Sequence, residues 1–110
     1  MNKHEIEVHA SNPNIFAELG LPDADGHFLK AQIVAELYRL TSGDNLTQAQ
    51  TGARMGVSQP EVSRLFKGNF REYSVERLMG FLTAFDQDVE IIAKPRGKDG
   101  ARGRISFRAA

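Results

Sequence analysis

Cysteine is absent from the 110 residues, which excludes a disulfide framework, a thiolate zinc site, an iron–sulfur cluster and a cysteine nucleophile together. Long apolar runs are absent as well. No stretch approaches the roughly 20 residues of a membrane-spanning helix, and the opening MNKHEIEVH lacks the apolar centre of a secretory leader. The expectation is a cytoplasmic protein without a membrane partner. A net charge is also missing, because 14 Lys and Arg balance 14 Asp and Glu. The chain is long enough for one compact domain and little more. Its 41% hydrophobic share is that of a folded chain rather than a disordered one.

The neutral total conceals a segregated distribution. Residues 1–53 carry three bases against seven acids, residues 54–77 five against three, and residues 94–110 six against Asp99 alone. A positive middle and a positive tail suit local contact with phosphate better than an inert surface does.

Residues 4–9 (HEIEVH) alternate polar and apolar, which predicts a short exposed strand. Residues 10–27 are broken by Asn12-Pro13 and Leu21-Pro22, yet Ile15, Phe16, Leu19 and Leu21 need burial, so an arm packed onto the body is expected. From Phe28 to Leu40 the apolar residues Leu29, Ile33, Val34, Leu37, Tyr38 and Leu40 keep helical spacing, with Asp23 or Asp25 as a cap. Three short helices follow. Thr47 with Gln50 forms one capping-box pattern and Ser58 with Glu61 a second, where Pro60 in the first turn loses no hydrogen bond. Ser74 opens VERLMGFLTAF, whose Val75, Leu78, Met79, Leu82 and Phe85 make one apolar stripe. Then VEIIAK reads as a β-branched strand, RGKDGARG as a loop, and RISF as a returning strand. No internal repeat occurs.

Residues 48–67 are the most informative. Two short helices joined by three residues cross closely only if the first carries a small residue at the crossing, and Gly52 stands there at a cost of about 1 kcal/mol in helix propensity. The turn needs a residue at ease with positive φ, and Gly56 fills it. Val57 and Val62 fill the gap between the helices, with Leu65 and Phe66 on the same buried side. At 100° per residue, Gln59, Pro60, Ser63, Arg64 and Lys67 fall on the opposite arc, which contains no acid. Gln can pair with adenine, Arg with guanine, and Lys suits phosphate. Gln48 opens the first helix, where it can reach a phosphate and brace Gln59. Thr47, Gln48, Ser58, Gln59, Pro60, Ser63, Arg64, Lys67 and Arg71 are the candidate DNA-binding residues, and Arg77 is a further candidate for backbone contact. A plain solvated helix face is the alternative reading of the arc.

This register resembles the lambda-repressor-like, Xre-family helix-turn-helix, matching at Gln48, Gly52, Gly56, Val57, Gln59, Val62 and Leu65. Thr51 departs from it, being more polar than an inward position usually allows. NIFAELGLPD at 14–23, FREYSVERLMGFLTAFDQDVEI at 70–91 and the basic tail extend the resemblance to a subgroup similar to HigA-type antitoxins. The resemblance implies a mainly α, five-helix domain and operator binding as a homodimer. It also implies neutralisation of a RelE-like ribonuclease toxin. The expected organisation is an N-terminal strand and arm at 1–27, the helix-turn-helix domain with a C-terminal strand at 28–93, and a basic tail or returning strand at 94–110.

An enzyme is not expected. His4 and His9 lie five apart on an alternating strand and so on opposite faces, His27 is isolated, and no nucleophile-elbow pattern occurs. No cofactor or metal is expected either. A stand-alone regulator without a toxin and a pure protein-interaction module are the rival readings. The strand VEIIA and the 75–85 stripe either complete the monomer core or supply a dimer interface. The acidic region before residue 54, with Ile6, Val8, Ile15, Phe16 and Leu19 as apolar anchors, is the candidate face for a basic toxin.

Overall fold

The computed structural model describes residues 23–97, 100 and 102–110. Among the described residues there are four helices: α1 (Asp23–Gly43), α2 (Gln48–Met55), α3 (Gln59–Phe66) and α4 (Val75–Thr83). Helix α1 begins five residues before Phe28, where the apolar periodicity starts, and runs for 21 residues. Its inward row Leu29, Ile33, Val34 and Leu37 is buried, and Leu37 is completely so. From α3 come Val62 and Leu65, and from α4 Val75, Leu78, Phe81 and Leu82, with Phe85 just beyond the helix end. Each such side chain stabilises the fold by about 1.5–3 kcal/mol relative to exposure. The 75–85 stripe is therefore core, which removes it as a candidate interface.

Helix α1 packs on α4 and α3, and α2 packs on α3. Two further contacts hold the loop after α3 against α1. The Lys30 ammonium donates to the Arg71 carbonyl at 2.8 Å, and the His27 ring stacks on Phe70 with centroids 4.9 Å apart. Partial burial, helped by the neighbouring Arg71 charge, lowers the Lys30 pKa.

Two expectations are corrected. The fifth helix is not found among the described residues, which contain four. The C-terminal β-strand or hairpin is not formed among the described residues either. Residues 87–97 and 102–110 carry no regular secondary structure, and Ile91 and Ile92 are 71% and 77% exposed. VEIIAK has strand composition, but a strand exists only when its backbone groups are paired with a neighbour. Among the described residues, Asp88 to Lys94 make no backbone–backbone hydrogen bond. The tail does come back to the body. The Phe107 N–H donates to Gln32 Oε1 at 3.3 Å, and its ring packs half-buried against the core. The strand expected at 4–9 and the apolar residues of the arm at 15–21 lie outside the described residues.

Candidate nucleic-acid interface

The two-helix unit is built by short-range chemistry. Thr47 caps α2 through a complete reciprocal box. Its Oγ1 accepts from Gln50 N–H at 3.1 Å, and its own N–H donates to Gln50 Oε1 at 2.9 Å. Gly56 ends the helix at φ 75°, and the Val57 N–H donates to the Gly52 carbonyl at 2.9 Å. At Gly52 the close approach is to the turn rather than to α3. A Cβ there would lie 2.6 Å from the Val57 carbonyl oxygen, a backbone atom that cannot swing aside. Val62 is fully buried and Val57 half-buried, while the Phe66 ring meets Tyr38 edge-on at 5.3 Å. Thr51, the polar departure from the pattern, is 1% exposed, and its hydroxyl has no hydrogen-bond partner.

Ser58 caps α3, accepting from the Glu61 N–H at 3.3 Å. Here the box predicted from the spacing is only half made. The Glu61 carboxylate does not return to the Ser58 backbone. Its Oε2 accepts instead from the Tyr73 hydroxyl at 2.7 Å, across the loop. The outward arc of α3 then stands clear. Gln59, Pro60, Arg64 and Lys67 are exposed, and Ser63 is half-buried between them. Thr47 and Gln48 are exposed at the start of α2, as is Ser58 before α3. The expected brace between Gln48 and Gln59 is not made as a hydrogen bond.

Arg64 and the exposed Arg71 line one shallow depression beside α3, together with Glu61, Asn69, Glu72, Tyr73 and Arg77. Arg77 is committed to aromatic contacts there. Its guanidinium lies 4.8 Å from the Tyr73 ring centroid and 5.5 Å from that of Phe81. Burial, reinforced by the hydrogen bond to Glu61, raises the Tyr73 pKa. The pair has an electrostatic consequence for α3. Glu61 is its one acid, at the flank of the outward arc, and its carboxylate accepts the phenol's hydrogen bond. Tyr73 was not among the sequence candidates, because it lies twelve positions and a loop away from Glu61. Among the described residues no three His, Asp or Glu side chains gather as metal ligands would, and no helix is long and apolar enough to cross a membrane.

Residues 15–94 match a family described as a helix-turn-helix domain. No curated protein matches the chain. A solved structure described as an XRE family transcriptional regulator is 40% identical over 81% of this chain and 100% of its own, with a TM-score of 0.76. With the family match spanning most of the chain and that structure matched over its full length, the chain belongs to the Xre family of helix-turn-helix transcriptional regulators.

Proposed function

We propose that the chain is a sequence-specific, dimeric transcriptional repressor of the cytoplasm, a binding protein rather than an enzyme, that reads the major groove with α3. The observation that carries this reading is the acid-free arc of exposed Gln59, Pro60, Arg64 and Lys67 around half-buried Ser63, on a helix anchored by Val62 and Leu65. Gln59 and Arg64 would read base edges, with Ser63 as a short adaptable contact. Lys67, Arg71 and Gln48 would meet phosphates, assisted by the free N–H groups at the start of α2, and Thr47 and Ser58 would add hydroxyl contacts beside their capping roles. Fluorescence anisotropy of the full chain on labelled duplexes is the test. Gln59→Ala or Arg64→Ala should cost about 1–3 kcal/mol at one base position and relax specificity there. No binding to specific or random duplex at low salt would refute the reading.

The antitoxin role is the second part of the proposal, and one observation favours it. Phe28 and Tyr38 are 63% and 57% exposed on α1, and Ala31 and Ala35 lie between them on the same face without a charge. An uncharged helix face of this kind suits a protein groove. A RelE-like ribonuclease toxin encoded beside this chain would dock on residues 1–28 and this face, apart from the DNA-reading arc. Phe28→Ala should weaken co-purification of the toxin and leave operator affinity unchanged. If no toxin is encoded alongside, the stand-alone regulator takes the place of the antitoxin.

A further inference from the structure

The stretch Asp88–Arg96, DVEIIAKPR, has a pattern that α-helical packing does not use. Val89, Ile91, Ala93 and Pro95 alternate with Asp88, Glu90, Ile92, Lys94 and Arg96, so an extended backbone has one apolar and one charged face. The charged face is antisymmetric about Ile92. Acids lie two and four residues before it, and bases two and four residues after. Ile91 and Ile92 are the most exposed large apolar residues described, and Asp88 to Lys94 leave their backbone groups unpaired by other backbone among the described residues.

We infer that this segment is the dimer interface. It pairs antiparallel with the same segment of a second copy about a two-fold axis at Ile92. The inference rests on the dimeric reading proposed above and supplies its surface and register. In this register Glu90 lies opposite Lys94 of the second copy and Asp88 opposite Arg96, each pairing occurring twice. Cross-strand pairs of opposite charge stabilise a sheet, and like charges opposite one another destabilise it. A parallel pair would set each acid against itself. An antiparallel register centred on Ile91 would pair Asp88 with Lys94 but set Glu90 against Ile92. A register centred on Ala93 would again set both acids opposite bases but would place Ile92 opposite Lys94 twice, so charge and apolar pairing together favour the axis at Ile92.

Pro95 agrees with that choice. Proline has no N–H, so it fits an antiparallel ladder only where that group would point away from the partner strand. Directly opposite pairs alternate between hydrogen-bonded and non-hydrogen-bonded. With Pro95 opposite Val89 in a non-hydrogen-bonded pair, Ile92 with its twin and Glu90 with Lys94 become hydrogen-bonded pairs. The backbone groups that no described backbone group pairs within one chain are thereby satisfied by two. The segment follows α4 after a short turn, and the apolar faces of the two strands form one continuous strip, which removes the exposed edge of each copy.

The absence of cysteine makes the register directly testable in the full chain. Cα atoms of a hydrogen-bonded antiparallel pair are about 5.5 Å apart, which matches the span of a disulfide. Ile92→Cys should form a covalent dimer under mild oxidant that still binds operator, and Ile91→Cys, on the other face opposite Ala93, should cross-link far less. Glu90→Lys should raise the dimer dissociation constant about tenfold, and the swap Glu90→Lys with Lys94→Glu should restore it. Both positions are exposed, so circular dichroism should show an unchanged fold. A dimeric mass with neither preferential cross-linking at residue 92 nor charge-swap rescue would overturn the strand interface and leave the dimeric reading intact. A mass of 12.2 kDa at micromolar concentration would overturn both.

Discussion

Thr51 and Tyr73 show how differently one polar atom weighs when it is left alone and when it is partnered. The Thr51 hydroxyl is buried without a partner, a situation that typically costs about 1–3 kcal/mol in desolvation. Thr51→Val keeps the shape, removes the orphan and should raise the midpoint of urea unfolding, with a gain of about 1 kcal/mol. An unchanged or lower midpoint would mean that the hydroxyl is satisfied in solution. Tyr73 is the opposite case, because its hydroxyl is donated to Glu61. Its pKa is raised, first by burial and then by that bond, so the folded state favours the protonated phenol. The contribution is fully present below the ordinary tyrosine pKa of about 10 and is lost as pH rises through the higher folded value. Urea titrations at pH 8 and pH 11 should show this alkaline loss in the parent chain. Tyr73→Phe should be less stable at pH 8 by about 1 kcal/mol and should lose less of its remaining stability at alkaline pH. The sequence alerted us to Thr51, since a polar residue at an inward helical position breaks a local pattern. It was silent on Tyr73, because a hydrogen bond across a loop has no spacing rule.

The elements sort in the same way. Helices α2, α3 and α4 were legible because their signals are local: a hydroxyl before the first turn, apolar residues at helical spacing, and Gly56 at the positive-φ turn. Helix α1 was legible in its core half but not at its start. Asp25, Gly26 and His27 supply no buried apolar side chain, and two acids near a helix N-terminus are favoured by the dipole without revealing where the first turn lies. The second capping box was misread because Glu61 had a competitor for its carboxylate that lay outside the spacing rule. Residues 88–94 are the clearest failure. Their alternation and β-branching describe a strand, but strand formation depends on a partner that the described residues of one chain do not provide. The completeness of the first box predicts its weight. Helix α2 has eight residues, short enough that its first turn decides whether it forms. Thr47→Ala should cost about 1 kcal/mol and speed amide exchange at Thr51 to Met55 more than in α4. Uniform loss of protection across all helices would indicate that α2 opens only with the whole domain.

At the scale of the molecule, a formal charge of zero would suggest weak attraction to a polyanion, but the field near α3 is set by local charges. Arg64 on it and Lys67 and Arg71 just after it are exposed, and its single acid accepts a hydrogen bond from a phenol. Binding to DNA should therefore release counterions despite the neutral total, and the logarithm of the affinity should fall linearly with the logarithm of salt concentration. Each phosphate contact contributes about 0.9 to that slope on duplex DNA. Lys67→Ala tests both the contact and the stoichiometry. A single reader on the duplex would lose one contact, and the slope would become shallower by about 0.9. Two copies on a two-half-site operator would lose two, and the change would be about 1.8. The loss should be nearly equal on specific and random duplexes, because phosphate contacts carry no base information. Gln59→Ala, by contrast, should leave the slope unaltered and change the specific duplex alone. Anisotropy titrations of the three chains over a range of salt concentrations separate these outcomes. An unaltered slope for Lys67→Ala would remove that residue from the backbone contacts, and a change near 0.9 on the intact operator would show that one copy, not two, reads the site.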